Sequence, residues 1–348
     1  MRRKRLSAIL ASAYALSGTA LAQSDEDVPS RFEVYGRINV TYERFSGTGL
    51  PTTGNVFDTG SRIGFRGRRD LGSRLAAFFQ LESRTRVDDG TSEWASRGSF
   101  VGLQTPFGTG RLGRTVGPVY RATYEYIGVF NGNGGTSADA FTPGTVTGFQ
   151  SFMNNTAWYT SPSFGAVKLE AAYSRLGETP LPGMSQPRHV GVVAVYDTPT
   201  LHLAASRAET RNTTNLGDGT PNLDIAYTIG GLYTMKALVV GALYDRATSK
   251  LLVDEAKRTH VRFVAMVTAG PHEFHLDVGR VNHRLDAKLS DDGASQRTLG
   301  YAYNFDPRTR IYGFYTVVDN DNNGNYGFRT HLPGVDNKST AVGMRYIF

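Results

Sequence analysis

The clearest period in the chain lies at 32–45. There Val34, Gly36, Ile38, Val40 and Tyr42 fall on one face, and Glu33, Tyr35, Arg37, Asn39 and Thr41 on the other. A period of two marks a β-strand whose faces meet different surroundings. Ile63 and Phe65 alternate in the same way with Arg62, Gly64 and Arg66. Leu75, Ala77, Phe79 and Leu81 alternate with Ala76, Phe78, Gln80 and Glu82. Continued along the chain, the pattern predicts sixteen strands near 32–45, 56–69, 72–86, 93–105, 108–114, 154–162, 165–176, 188–198, 200–211, 223–235, 237–249, 257–269, 271–284, 296–306, 309–321 and 338–348. Every second connection is short: Asp70-Leu71-Gly72, Pro106-Phe107-Gly108, Pro162-Ser163-Phe164, Thr198-Pro199, Gly270-Pro271 and Asp306-Pro307. The others are longer and rich in Gly, Asn, Asp and Thr. An even strand count places both termini on the short-turn side, as in bacterial membrane barrels.

A soluble β-sandwich or propeller is the competing architecture. It needs an apolar interior and a polar exterior, whereas the polar set here includes many arginines. A propeller would also show a repeat of fixed period, and none is visible. No stretch after the first 22 residues offers 18 consecutive apolar residues, so the remaining chain has no transmembrane helix. A closed barrel, apolar outside and polar inside, satisfies every backbone donor and acceptor in lipid. The pattern therefore predicts an all-β, transmembrane antiparallel β-barrel of sixteen strands.

Composition and charge refine this. The chain holds 40 Gly, 18 Tyr and 19 Phe and no cysteine. It is therefore not a disulfide scaffold and has no thiolate chemistry. Arg2, Arg3, Lys4 and Arg5 precede an apolar run from Leu6 to Leu21 that ends in Ala20-Leu21-Ala22. This reads as an export signal peptide over 1–22, too short and too interrupted by Ser and Gly to be an anchor. The remainder, 23–348, forms the barrel. The whole chain is +7, and losing the leader's four cations leaves +3. The nucleic-acid reading that a basic chain invites then loses its support. Arginine outnumbers lysine, 31 to 7. Arginine suits sites where a fixed charge must face carboxylate or phosphate.

Three further features matter. The last predicted strand places Thr340, Val342, Met344 and Tyr346 in alternation and ends on the aromatic Phe348. Between the fifth and sixth strands lie some 39 residues, 115–153, far longer than a hairpin loop. Its aromatic start, Tyr120 to Tyr126, suits packing on a wall and its glycines allow sharp reversal, so a loop folded into the lumen stands beside the alternative of an open extracellular flap. Catalytic chemistry is missing. The histidines are His189, His202, His260, His272, His275, His283 and His331, and the one close pair, His272 and His275, points to opposite faces of a strand. There is no Gly-x-Ser-x-Gly and no phosphate-binding glycine loop ahead of a helix. No cofactor or resident metal is expected; Asp218 and Asp319 to Asp321 give only a weak surface-cation signal.

Several motifs resemble the Gram-negative general porin family of betaproteobacterial type. They are Val34-Tyr35-Gly36-Arg37-Ile38-Asn39, the hairpin Ser61 to Gly72 followed by Phe79-Gln80-Leu81-Glu82-Ser83, and Phe100-Val101-Gly102-Leu103 with Phe107 to Arg114. Tyr159 to Gly165 and Val342 to Phe348 complete the set. The resemblance runs in order along the whole mature chain. It implies an outer-membrane homotrimer with a third loop folded into each lumen, through which small hydrophilic solutes diffuse. It also implies a constriction at which wall arginines, Arg37, Arg62, Arg66, Arg84 and Arg114, face the loop acids Glu125 and Asp139. Phe348 would be the signal read by the barrel assembly machinery, and lipids of the outer membrane would surround the wall. The chain departs from the pattern at Met153, where such porins often carry a basic residue. It departs again at Trp158, an inward position usually polar. A modest preference for anions follows from the excess of inward arginines.

Overall fold

The computed structural model describes residues 31–123, 151–215, 221–250, 255–284, 290–328 and 332–348. The expected leader and most of the 115–153 insertion, Glu125 and Asp139 included, lie outside them. In chain order the elements are β1 (Arg31–Gly47), β2 (Leu50–Asp58), β3 (Arg62–Gly72), β4 (Leu75–Thr85), β5 (Ser92–Glu93), β6 (Ser99–Thr105), β7 (Gly108–Val116) and a short helix α1 (Pro118–Thr123). There follow β8 (Phe152–Thr160), β9 (Val167–Arg175), β10 (Arg188–Asp197), β11 (Leu201–Asn215), β12 (Pro221–Met235) and β13 (Leu238–Lys250). The last are β14 (Glu255–Ala269), β15 (His272–Arg284), β16 (Ala294–Asn304), β17 (Thr309–Asn320) and β18 (Asn337–Ile347).

Among the described residues these strands form one antiparallel sheet. β1 pairs with β2 and β3 on one side and with β18 on the other, which closes the sheet on itself. β2 and β3 are two halves of a single barrel strand, and β5 is a two-residue appendage of β4. The wall therefore has sixteen strands. Closure leaves no edge, the condition for crossing lipid.

The alternation in the sequence is the alternation in space. On β1, Arg37, Asn39, Thr41 and Glu43 are buried inward, while Val34, Ile38 and Tyr42 are exposed outward. Val190 and Val192 on β10, Tyr227 and Ile229 on β12, and Leu299 and Tyr301 on β16 continue the exposed apolar belt. The inner face carries buried polar groups such as Thr210, Thr228, Asp245, Gln296 and Thr316.

Three expectations change. The connection after the first strand is not a long loop. Gly47 pairs with Leu50, leaving Thr48 and Gly49 as a two-residue turn, and β2 then runs back along β1. The left-handed backbone at Gly49 permits this turn. The predicted strand at 56–69 is longer and interrupted. At the break the Asp58 carboxylate accepts hydrogen bonds from the backbone N–H of Gly60 (2.9 Å) and Ser61 (3.1 Å). The chain thus turns on itself before β3 begins. The next short turn also shifts. The strand continues through Gly72, and Ser73 and Arg74, both at positive φ, make the reversal. Elsewhere on the short-turn side Asp306 accepts from the backbone N–H of Arg308 (2.7 Å) and Thr309 (2.9 Å). Those donors hold its carboxyl below the usual carboxylate range.

Candidate functional site in the barrel interior

The inner wall from β17 through β18 and β1 to β4 carries a concentration of arginines, and the strand register shows why. Arg37 on β1 lies directly opposite Arg62 on β3, which lies directly opposite Arg84 on β4. Residues directly opposite share a face, so an inward Arg37 turns the other two inward. On the other side of β1, Arg310 on β17 pairs with Arg345 on β18, and Arg345 pairs with Asn39. Arg62, Arg97 and Arg345 all lie within coulombic range of Arg37. Like charges directly opposite repel. Something must hold them in place.

Two carboxylates and one backbone carbonyl do so. Glu82 is the centre of the first group. One of its oxygens is ion-paired with Arg97; the other accepts the Tyr35 hydroxyl at 3.0 Å and lies 3.6 Å from Arg62 Nε. Glu273 on β15 accepts from Arg310 at 2.9 Å and lies 3.3 Å from His275 Nε2. The break between β2 and β3 provides the third anchor, because the Gly60 carbonyl it exposes accepts from Arg37 Nε at 2.8 Å. A side chain at Gly60 would meet the same guanidinium, its Cβ 2.7 Å from Nη2. Asn39, which positions the break by accepting from Thr59 and Ser61 and donating to the Thr59 carbonyl, is itself held by Tyr312 at 2.7 Å.

The balance of charge is uneven. Among the described residues Arg37, Arg84 and Arg345 form no ion pair, and Arg84 is exposed. Arg66, in contrast, is fully matched: Glu33 accepts from its Nε and Nη2 at 2.8 and 2.9 Å, and the guanidinium stacks 4.8 Å from the Tyr35 ring.

The remaining expected residues take varied places. Arg114 stands opposite Ser99 on β6, beside a bulge on β8, where Asn154 and Asn155 take up the extra residue between the pairs Gly113–Thr156 and Thr115–Met153. Its guanidinium donates to the Ser96 carbonyl at 2.8 Å, is bonded to Asn154 and stacks on Phe152, which sets it at the loop end of the wall. Trp158 is inward and buried, in one cluster with Met153, Ala122 and Ala172. Ala122 belongs to α1, so the described start of the insertion packs on the inner wall. Val119 of the same helix rests on Ala208, Ala226 and Ala247, Pro118 on Gly191, and Arg121 is bonded twice to Glu170, at 3.1 and 2.9 Å. Arg97, Arg111, Arg310 and Arg345 were not singled out from the sequence. Arg111, Arg310 and Arg345 occupy the polar phase of their strands and were legible by that criterion. Arg97 lies outside the regular strands and has no phase to read.

A closed sixteen-stranded barrel with an apolar belt and an arginine-rich inner wall is matched by a family model described as Gram-negative porin, over residues 7–323. The chain belongs to the Gram-negative porins. As a porin it is an outer-membrane channel for passive diffusion of small solutes, and its relatives are channels, not enzymes. It is 27% identical to outer membrane porin protein 32 of Delftia acidovorans, over 98% of this chain and 99% of that one. It is 25% identical to the major outer membrane protein P.IB of Neisseria gonorrhoeae, over 75% and 78% of the two chains. Among solved structures, the anion-selective porin from Comamonas acidovorans shares the porin fold at a TM-score of 0.77. That match has 23% identity and covers 92% of this chain and 100% of that one.

Proposed function

We propose that this porin prefers small anions, and that the row Arg37, Arg62 and Arg84 with Arg345 beside it is what attracts them. One observation carries the reading: along this stretch of wall Arg62 and Arg97 share a single carboxylate, Glu82, while Arg37, Arg84 and Arg345 form no ion pair among the described residues. Arginine stays protonated at any workable pH, so the field is permanent. The name of the Comamonas relative points in the same direction. The 115–153 segment is proposed to continue from α1 across the lumen as a constriction loop, with Glu125 and Asp139 facing the arginines. The contacts of α1 with the inner wall support that course.

The same reading includes removal of residues 1–22 on export, surrounding outer-membrane lipids, recognition of Phe348 by the barrel assembly machinery, and a homotrimer. The trimer is supported by the family and by an outward aromatic cluster. Phe32 stacks on Phe65 at 6.3 Å, and Phe65 meets Trp94 at 6.1 Å. Trp94 is 70% exposed in the single chain, where a neighbouring subunit or lipid would cover it. Planar-bilayer recording under a salt gradient tests the central point. Stepwise ohmic conductance with an anion-directed reversal potential is the expected result. A tight seal over many insertions, or a cation-directed potential, would refute it.

A further inference from the structure

Two inward arginines sit low in the barrel, near the short turns and away from the Arg37–Arg62–Arg84 row. Arg68 follows Arg62 by six residues on β3, which is ~20 Å along a strand. It lies opposite Phe78 on β4 and donates from Nη1 to Gln104 Oε1 at 2.6 Å. Arg111 stands near the start of β7, opposite Gly102 on β6 and Trp158 on β8. Its guanidinium lies 4.8 Å from the centre of the Trp158 ring and 5.0 Å from that of Phe100. Phe78 meets Phe100 edge-on at 6.2 Å and covers Gly102, where an added Cβ would come within 2.2 Å of the ring. Phe78, Phe100 and Trp158 are all buried. Between the two levels, Arg66 is matched by Glu33 and contributes little net field.

An arginine on a flexible stem spreads its charge over many rotamers. Ring faces on two sides remove that freedom and keep the planar cation in one place. We infer that Arg111, gripped by Phe100 and Trp158 with Arg68 nearby, is a second specificity-determining station, at the short-turn mouth of the channel, and that Trp158 is its positioning residue. The station receives small anions on that side; the Arg37–Arg62–Arg84 row acts deeper in the channel. This rests on the anion-preferring reading above. Screening decides how the two levels combine. The Debye length is about 10 Å at 0.1 M salt and about 30 Å at 0.01 M. At ~20 Å separation the levels act independently at the higher salt and merge at the lower. A fixed charge near one mouth also makes the current depend on the sign of the voltage.

The test is single-channel recording of the purified full-length porin in potassium chloride at both salt concentrations. Arg111→Gln is expected to lower the anion-to-cation permeability ratio by up to about fivefold, the factor one unit charge contributes at ~4 Å in water. It should also reduce rectification. Trp158→Leu keeps the charge but frees it, so it should show a smaller loss with noisier current. Trp158→Phe should restore the parent behaviour. Arg37→Ser with Arg62→Ser should shift selectivity at 0.1 M while leaving rectification intact. If Arg111→Gln does not assemble, Arg111→Lys and the Trp158 pair carry the same comparison. A parent pore with anion preference whose selectivity and rectification survive Arg111→Gln, or the Trp158→Leu change, would overturn this inference alone. A parent pore without anion preference would overturn the proposed function and this inference with it.

Discussion

Phe348 and Gly36 exchange backbone hydrogen bonds of 3.0 Å in both directions across the barrel seam, while the Phe348 ring covers the bare α-carbon of Gly36. A Cβ at Gly36 would stand 2.5 Å from that ring and 2.6 Å from the Arg62 carbonyl oxygen. The ring could move aside; the carbonyl belongs to the next strand and cannot. Gly36→Val is therefore expected to destabilise closure by about 1–3 kcal/mol, the usual cost of forcing bulk into a packed site. Urea unfolding in detergent, followed by the gel shift between folded and heated barrel, measures it. An unchanged midpoint would show that the seam opens without cost.

Removing Phe348 tests a different quantity. The two hydrogen bonds at the seam are worth about 1–3 kcal/mol together, little against a fully paired sheet. The purified variant should still refold in detergent. If the terminal aromatic is read during assembly, its level at the cell surface should fall far more than this loss of stability explains. Normal surface levels would argue that the residue is only a seam fastener.

Glu82 gives a prediction with opposite signs in two measurements. It accepts from Tyr35 and Arg97, is ion-paired with Arg62 at 3.6 Å, and its side chain is 10% exposed. Glu82→Gln removes the negative charge that holds the arginines together. Anion preference should rise, and stability should fall by about 1–2 kcal/mol, below the 3–5 kcal/mol of a fully buried broken pair because the lumen is wet. Reversal potentials and unfolding midpoints from one preparation give both numbers. Loss of anion preference would mean that the field comes from elsewhere on the wall.

Period-two alternation was sufficient to show which arginines share a face. Once Arg37 and Arg62 are placed by phase on their own strands, strand pairing brings Arg84 beside them. What the pattern could not show is where a strand loses its phase. The turn at Asp58 to Ser61 is built from side-chain-to-backbone hydrogen bonds that leave the alternation on either side intact, so it was invisible. The bulge at Asn154 and Asn155 on β8 was hidden in the same way, and it brings Asn154 to Arg114 at the loop end of the wall. Long-range partners were hidden for another reason. A closed barrel pairs the last strand with the first, but nothing local in either strand sets the register of that seam, and the register is what brings Arg345 near Arg37.

The ion pair between Arg121 and Glu170 links α1 to the inner wall, with Glu170 buried and accepting two hydrogen bonds. Pro118 on Gly191 and Val119 on the alanines supply the apolar half of the attachment. Glu170→Gln should loosen the helix without unfolding the barrel, since β9 keeps its ladder to β8 and β10. The expected reading is larger and noisier single-channel conductance at an unchanged unfolding midpoint. Quiet channels of parental size would show that the apolar contacts alone fix the helix.

The magnitude of anion preference can be bounded. In a water-filled lumen two unit charges ~4 Å apart interact by roughly 1 kcal/mol, about a fivefold effect on an equilibrium. Salt screens it over about a Debye length. A few net arginines therefore produce selectivity of several-fold, not exclusion of cations. Arg37→Ser combined with Arg62→Ser should lower the anion-to-cation ratio several-fold and flatten its increase at low salt. The double change relieves the repulsion between two directly opposed cations, which offsets the loss of the Arg37 bond to the Gly60 carbonyl and of the Arg62–Glu82 pair, so stability should stay within about 1–2 kcal/mol of the parent. That combination separates an electrostatic role from a structural one. A drop in selectivity with stability kept assigns the field to these side chains. Unmoved reversal potentials would place the selective charges on another part of the wall, because a one-residue slip that turned both arginines outward would also turn Ile38 and Ile63 into the lumen.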